Sequence, residues 1–351
     1  PANYGIWSWG DEIVVGFTLG YADEKGGFHA RDRSRPFVAM QARSLDGGEH
    51  WQVEGTPCHT PGDRGILSAD EHVIHDLSAA QAIEKGLAHA PLPCPGNIDF
   101  SHPNFALMCA RTGLGAGTAS WFYTSTDRCR SWDGPFALPL FGQPGIEART
   151  DYVVDDAQSG TFFLSAARED GGEGAGVFCA RTNDGGRSFE FGSWVAQAEH
   201  GYVIMPSSVR LSADRLLCAV RCREGNVPHE QARCWIDLHA SDDNGESWQH
   251  LAQPVENTGR GGNPPSLLRL ADGRLCLTYG YRAKPFGMRA KLSVDDGNTW
   301  EDEIVLRDDA GSPDLGYPRS VQRSDGSVVA VYYFNDRPGG EGYVAATIWK
   351  P

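Results

Sequence analysis

No apolar stretch in this sequence approaches the roughly 18 residues that a membrane-crossing helix needs. Positive charge is scarce: 31 Lys and Arg stand against 46 Asp and Glu, a formal net charge of −15. That balance excludes the basic footprint of a duplex nucleic-acid binder and the cationic face of a helix lying on an anionic membrane, so neither is expected as a partner. The nine cysteines are odd in number, and the nearest two, Cys218 and Cys222, stand four apart rather than at knuckle spacing. Neither a disulfide framework nor a metal centre is expected from them, and they read as small buried apolar residues. Free thiols of this kind, with no charged-then-apolar leader over Pro1–Gly10, lead us to expect a cytoplasmic protein. No cofactor is expected.

What the chain does hold is core material and turn formers. Hydrophobic residues make up 40%, with 10 Trp, 11 Tyr and 15 Phe, beside 43 Gly and 21 Pro. Its 351 residues suit two ordinary domains or one large β-fold.

A repeat decides between them. Ser44-Leu45-Asp46-Gly47-Gly48-Glu49-His50-Trp51 returns as Ser241-Asp242-Asp243-Asn244-Gly245-Glu246-Ser247-Trp248 and as Ser293-Val294-Asp295-Asp296-Gly297-Asn298-Thr299-Trp300. Looser copies are Ser125-Thr126-Asp127-Arg128-Cys129-Arg130-Ser131-Trp132 and Thr182-Asn183-Asp184-Gly185-Gly186-Arg187-Ser188-Phe189. The starts lie 81, 57, 59 and 52 residues apart. The chemistry of S/T-x-D-x-G-x-x-W/F is that of a tight turn. Ser or Thr and Asp bond nearby backbone, Gly supplies a positive φ, and the aromatic ring tucks between sheets. The Asp242-Asp243-Asn244 cluster lacks a calcium loop's twelve-residue ligand pattern.

Short strand candidates precede each copy, as in Leu216–Arg221 and Cys234–Ala240 before the fourth. The count predicts an all-β, six-bladed β-propeller of four-stranded antiparallel sheets over residues 1–351. The excess between the first two turns is an insertion, 54–100, with one helix candidate capped by Ser78 and Gln81 and stopped at Gly86. Its His59, His72, His75, His89, Cys58 and Cys94 lack ligand spacing and read as solvated loop.

In such a ring the start of each first strand and the end of each second strand share one mouth of the central channel. Those positions hold His102, Arg149, Asp151, Asn263, Tyr317 and Arg319 at strand starts. Arg221, Glu224 and Arg282 stand at strand ends, and Arg289 begins a third strand nearby. Guanidinium forks match carboxylates, so an arginine-rich concavity in an acidic protein points to an anionic ligand.

The repeated turn resembles the Asp box, and the arrangement is similar to the sialidase (neuraminidase) superfamily, closest to bacterial proteins with BNR repeats. The resemblance implies arginines on a substrate carboxylate, a Tyr nucleophile, a Glu partner and an Asp acid/base on a blade-one loop. Tyr317 matches the nucleophile and Arg221 one carboxylate-binding Arg, with Arg282 or Arg289 as another. The blade-one start, Asn3-Tyr4-Gly5-Ile6-Trp7, has no Arg; Met205 occupies the Glu position, where Glu224 is a nearby substitute; and His29 and Asp32 share the acid/base position. The resemblance thus implies an exo-glycoside hydrolase of an acidic sugar with an altered site. The alternatives are a uronic-acid lyase using Tyr317, His29 and His102, or a sugar-binding propeller without catalysis.

Overall fold

The computed structural model describes residues 3–23, 32, 35, 38–58, 90–225, 227–228 and 231–351. The insertion's helix candidate and His29 lie outside these residues. Among the described residues every regular element is a strand.

Blade one consists of β1 (Asn3–Trp9), β2 (Glu12–Leu19), β3 (Val38–Ser44) and β4 (Gln52–Gly55). Blade two follows with β5 (Ala106–Arg111), β6 (Ser120–Ser125) and β7 (Asp133–Ala137). Blade three contains β8 (Tyr152–Val154), β9 (Gly160–Ala166), β10 (Gly176–Thr182) and β11 (Glu190–Gln197). Blade four is formed by β12 (Tyr202–Arg210), β13 (Leu216–Arg223), β14 (Cys234–Ser241) and β15 (Gln249–Val255). Blade five comprises β16 (Ser266–Arg269), β17 (Leu275–Tyr281), β18 (Gly287–Ser293) and β19 (Ile304–Arg307), and blade six β20 (Gly316–Gln322), β21 (Val328–Phe334) and β22 (Tyr343–Trp349). Each blade is an antiparallel meander in chain order; blades two and six have three strands among the described residues, the others four.

Period-two alternation gives each strand two buried faces, one for each neighbouring blade. In β9, Phe162, Leu164 and Ala166 pack on Leu107 and Phe122 of blade two. Phe163 of the same strand packs on Leu216 and Val220 of blade four. Tyr4 and Val14 meet Met108 and Trp121 at the first seam, and Leu217 and Ile236 meet Leu267 and Leu277 at the fourth. Met288 meets Tyr332 and Phe334 at the fifth. The ring shuts where Ile13 and Val15 of blade one meet Val329 and Val331 of blade six. Each fully buried Phe at a seam contributes about 1.5–3 kcal/mol.

The repeated turns form as their chemistry requires. Ser44 Oγ donates to Asp46 Oδ1 at 2.8 Å and accepts Gly48 N–H at 2.8 Å, while Asp46 Oδ1 accepts His50 N–H at 2.9 Å. The same bonds recur around Asp127, Asp184, Asp243 and Asp295. The N–H that turns back to Ser or Thr belongs to a residue at positive φ, 81° at Gly245 and 61° at Cys129. The closing aromatic packs against the preceding blade: Trp132 on blade one, Phe189 on blade two, Trp248 on blade three and Trp300 on blade four. All nine thiols are unpaired, and all but Cys58 are buried.

Candidate functional site

In the four-stranded blades the motif turn joins the third strand to the fourth. First strands therefore begin, and second strands end, at the opposite rim. Blade two departs from that rule, because its motif turn follows β6, the second described strand. β5 therefore runs the other way. Asn104 bonds Arg128 of the motif turn through its side chain, Arg128 Nε to Asn104 Oδ1 at 2.7 Å, and His102 is hydrogen-bonded to Asn104 N–H. His102 thus sits at the motif-turn rim, away from the candidate mouth, and Arg111 at the far end of β5 takes its place there. The missing signal was strand direction, which a count of strands without a fixed start does not give.

Two residues at the mouth carry an unusual backbone. Met205 and Tyr317 both have φ 54°, both precede a proline, and both lie where the register of their first strand slips, between Ile204 and Ser207 and between Gly316 and Arg319. Proline disfavours the right-handed helical region for the residue before it, and a bulge re-aims a side chain. Left-handed backbone at a non-glycine costs about 1 kcal/mol and persists only where surroundings enforce it. Asn263, fully buried, does the enforcing at Tyr317. Its Oδ1 accepts Tyr317 N–H at 2.9 Å, and its Nδ2 donates to Leu315 O at 2.9 Å. An axial pocket results, lined by Arg149, Met205, Pro206, Pro264, Pro265, Tyr317, Pro318 and Arg319.

Three guanidinium groups surround the phenol. Arg221 Nη1 donates to Tyr317 Oη at 3.3 Å, and the guanidinium carbons of Arg149 and Arg282 lie 5.5 and 5.6 Å from its ring centre. Burial by itself raises the Tyr317 phenol; the charges of Arg221, Arg149 and Arg282 outweigh it and hold the group below its ordinary value. Arg221 also donates Nη1 to Met205 Sδ at 3.2 Å and Nη2 to Gly261 O, and its Nε is buried without a partner among the described residues. Arg282 directs its donors to Gly262 O, Leu315 O and Tyr333 Oη, so it acts on Tyr317 chiefly as a charge.

The remaining candidates divide. Asp151 accepts from Ser208 N–H and Oγ–H of blade four, and burial pushes its carboxyl up to about 6 against those bonds and the charge of Arg319. The Ser208 bonds therefore tie blade three to blade four, and Arg319 of blade six, on the pocket wall, adds its charge. Arg289 is 2% exposed and fully engaged, with Nε on Glu303 at 3.0 Å and the other nitrogens on Met288, Arg307 and Pro285 carbonyls. It is scaffold, not a ligand fork. Glu224 is exposed, its Oε2 accepting the Arg233 N–H across a turn. Asp32 is half-buried on the blade-one connection, its N–H on Tyr21 O at 2.9 Å.

Sequence reasoning passed over two carboxylates at this rim. Ile146 and Ala148 point into the seam between blades two and three, whereas Arg149 lines the pocket and Glu147 reaches the β5–β6 loop. Glu147 Oε1 accepts the Gly115 N–H at 2.7 Å. Burial pushes its carboxyl up to about 7; the Gly115 bond opposes this, the charge of Glu173 adds to it, and Arg111 and Arg149 oppose it. Glu173 belongs to the run Gly171-Gly172-Glu173-Gly174 between β9 and β10, and its charge reaches Arg221 and Tyr202. The spacing Glu147-Ala148-Arg149-Thr150-Asp151 was the available signal for the first. Among the described residues no group of three or more His, Cys, Asp or Glu is arranged to hold a metal ion, and no helix is long and apolar enough to cross a membrane.

The model of the BNR repeat-like domain matches residues 98–330, which carry four of the five motif turns. The chain belongs to the BNR repeat-like family. No curated protein matches it by sequence. Among solved structures, this BNR repeat-like propeller is similar to a protein of unknown function from Dyadobacter fermentans, at 21% identity and a TM-score of 0.69, covering 99% of this chain and 94% of that one. It is similar to the NanB sialidase from Streptococcus pneumoniae at 10% identity and a TM-score of 0.65, covering 99% and 68%. The Trypanosoma rangeli sialidase gives 12% and 0.58, covering 98% of this chain and 54% of its own. The BNR repeat-like chain thus spans about half the length of the trypanosome protein. At these identities the likeness establishes a shared sialidase-type propeller fold and nothing finer.

Proposed function

We propose that this protein is a glycoside hydrolase that releases a terminal, carboxylate-bearing sugar, with Tyr317 as nucleophile. One observation carries the reading: a strained tyrosine at the axial mouth whose phenol is drawn toward its ionised form by three guanidinium groups. A phenol attacks only when its proton is easily lost, and this setting lowers that barrier at a residue lining the pocket. Arg149 and Arg221 would take the sugar carboxylate, with Arg282 adding charge beneath it. Asn263 positions Tyr317 rather than touching ligand, and Asp151 with Arg319 supports the floor. The trypanosome sialidase that shares the fold has been captured with 2,3-difluorosialic acid as a covalent intermediate.

The test follows from that capture. Incubation with 2,3-difluorosialic acid, then peptide mass spectrometry, should place one sugar on Tyr317, and Tyr317→Phe should lose both adduct and turnover. Full turnover in Tyr317→Phe sinks the assignment. Met205, standing where the resemblance implies a glutamate, favours a second reading in which the cup binds an acidic sugar without cleaving it. Calorimetric binding with no product across a panel of sialic, deoxynonulosonic and glucuronic acid glycosides would establish that instead.

A further inference from the structure

We infer that Glu173 is the acid/base of this cup, delivered from a loop of blade three; the inference rests on the glycosidase reading above. The loop is held by its own backbone, with Arg168 N–H on Gly172 O at 2.8 Å and Gly171 N–H on Arg168 O at 3.1 Å. It is pinned to blade four, where Gly174 O accepts Val203 N–H at 3.1 Å. A Cβ on Gly174 would lie 2.5 Å from Tyr202 Cβ and Ile204 Cγ2, so the residue after Glu173 is pressed flat against β12. Tyr202 in turn lies beneath Arg221, 5.2 Å from ring centre to guanidinium carbon, and Arg221 donates to Tyr317. Contact therefore runs from the Glu173 loop to the nucleophile through two side chains.

The packing of Gly174 on Tyr202 sets Glu173 between blades three and four, and its charge acts on Arg221, Tyr202 and Glu147. It is half-buried and has no hydrogen bond to any other described residue, whereas Glu224 is exposed and held in a turn. Glu147 beside it is faced by Arg111 from β5, Arg149 from its own segment ahead of β8, Gly115 N–H from the β5–β6 loop and Glu173 itself. Glu173, the less buried of the two, is the one open to a ligand.

Atoms balance in both half-reactions. The ionised Tyr317 oxygen bonds the anomeric carbon, the bond from that carbon to the departing oxygen breaks with its electron pair, and the Glu173 proton passes to that oxygen. Water then gives a proton to Glu173 and its oxygen to the anomeric carbon, and the Tyr317 oxygen leaves with its electron pair.

The experiment compares wild type with Glu173→Gln on two glycosides of the acidic sugar that wild type cleaves in the panel above: the 4-nitrophenyl glycoside and the same sugar linked to galactose. A nitrophenolate leaves without a proton. The expected loss in kcat/KM is about 10²–10⁴-fold on the galactoside and under tenfold on the nitrophenyl compound. Added azide should restore nitrophenyl turnover in the variant and yield the glycosyl azide. An equal loss on both substrates, or no loss on either, overturns the role of Glu173 while leaving the glycosidase reading intact. If wild type cleaves neither substrate, the reading falls and the inference with it. An unchanged melting temperature in Glu173→Gln excludes misfolding as the source of the loss.

Discussion

Asn263 Oδ1 accepts the backbone N–H of Tyr317 at 2.9 Å, and its Nδ2 donates to Leu315 O, two residues earlier, at the same distance. One blade-five side chain thus clasps both sides of the bulge that opens blade six. The clasp is close: a Cβ on Gly316 would meet Asn263 Nδ2 at 2.1 Å, so only glycine fits between the two bonds, and at φ 113° glycine is also the residue that tolerates the backbone.

Asn263→Ala leaves a backbone donor and a backbone acceptor unpaired at a buried site. Unfolding in urea should show a loss of about 1–3 kcal/mol for each group left without a partner, within the limits of relaxation. Labelling of Tyr317 by 2,3-difluorosialic acid should fall at least tenfold in the same variant, because the phenol is no longer aimed. Unchanged stability would show that the clasp contributes nothing.

Tyr317 should titrate below an ordinary tyrosine, visible as phenolate absorbance near 295 nm that is missing in Tyr317→Phe. Its folded value is depressed, so its ionised form adds stability above the unfolded value near 10. That contribution is lost as pH falls through the depressed value. Arg221→Gln removes the largest opposing charge and should move the titration upward. A titration that stays put would mean the guanidinium ring does not act on the phenol.

Glu147 makes the opposite prediction. Its carboxyl is raised to about 7 against an unperturbed value of 4.5, so between those limits the folded protein binds more protons than the unfolded chain. Stability should therefore fall as pH rises from about 4.5 to 7. Melting temperatures measured across that window should show the slope in wild type and a flatter line in Glu147→Gln. The turn aspartates act outside the window: Asp243 is lowered to about 2 by bonds from Ser247 and Ser241, and its contribution is lost only in stronger acid.

The ring was legible because its two signals are local. The five turns are written in contiguous residues, and Phe162-Phe163-Leu164 alternates between two seams as any strand with two buried faces must. The rim was legible wherever strand direction was. Arg149, Arg221, Arg282 and Tyr317 were found by that rule, and His102 was misplaced when blade two broke it. The use made of each arginine was not legible, since carbonyls of residues far along the chain decide it: Arg282 reaches Leu315, and Arg289 reaches Arg307. Glu173 was hidden because a lone acid among glycines looks like a solvated turn until Gly174 is seen pressed on Tyr202.

Arg149, Arg221, Arg282 and Tyr317 come from four different blades, and each of those blades borrows a wall from the next. The four side chains come together only when blade six packs on blade five, because the phenol belongs to blade six and the side chain that aims it, Asn263, to blade five. Ligand recognition is therefore a property of the finished circle: a ligand present at saturating concentration should protect all six vanes at once against unfolding, not merely those it touches.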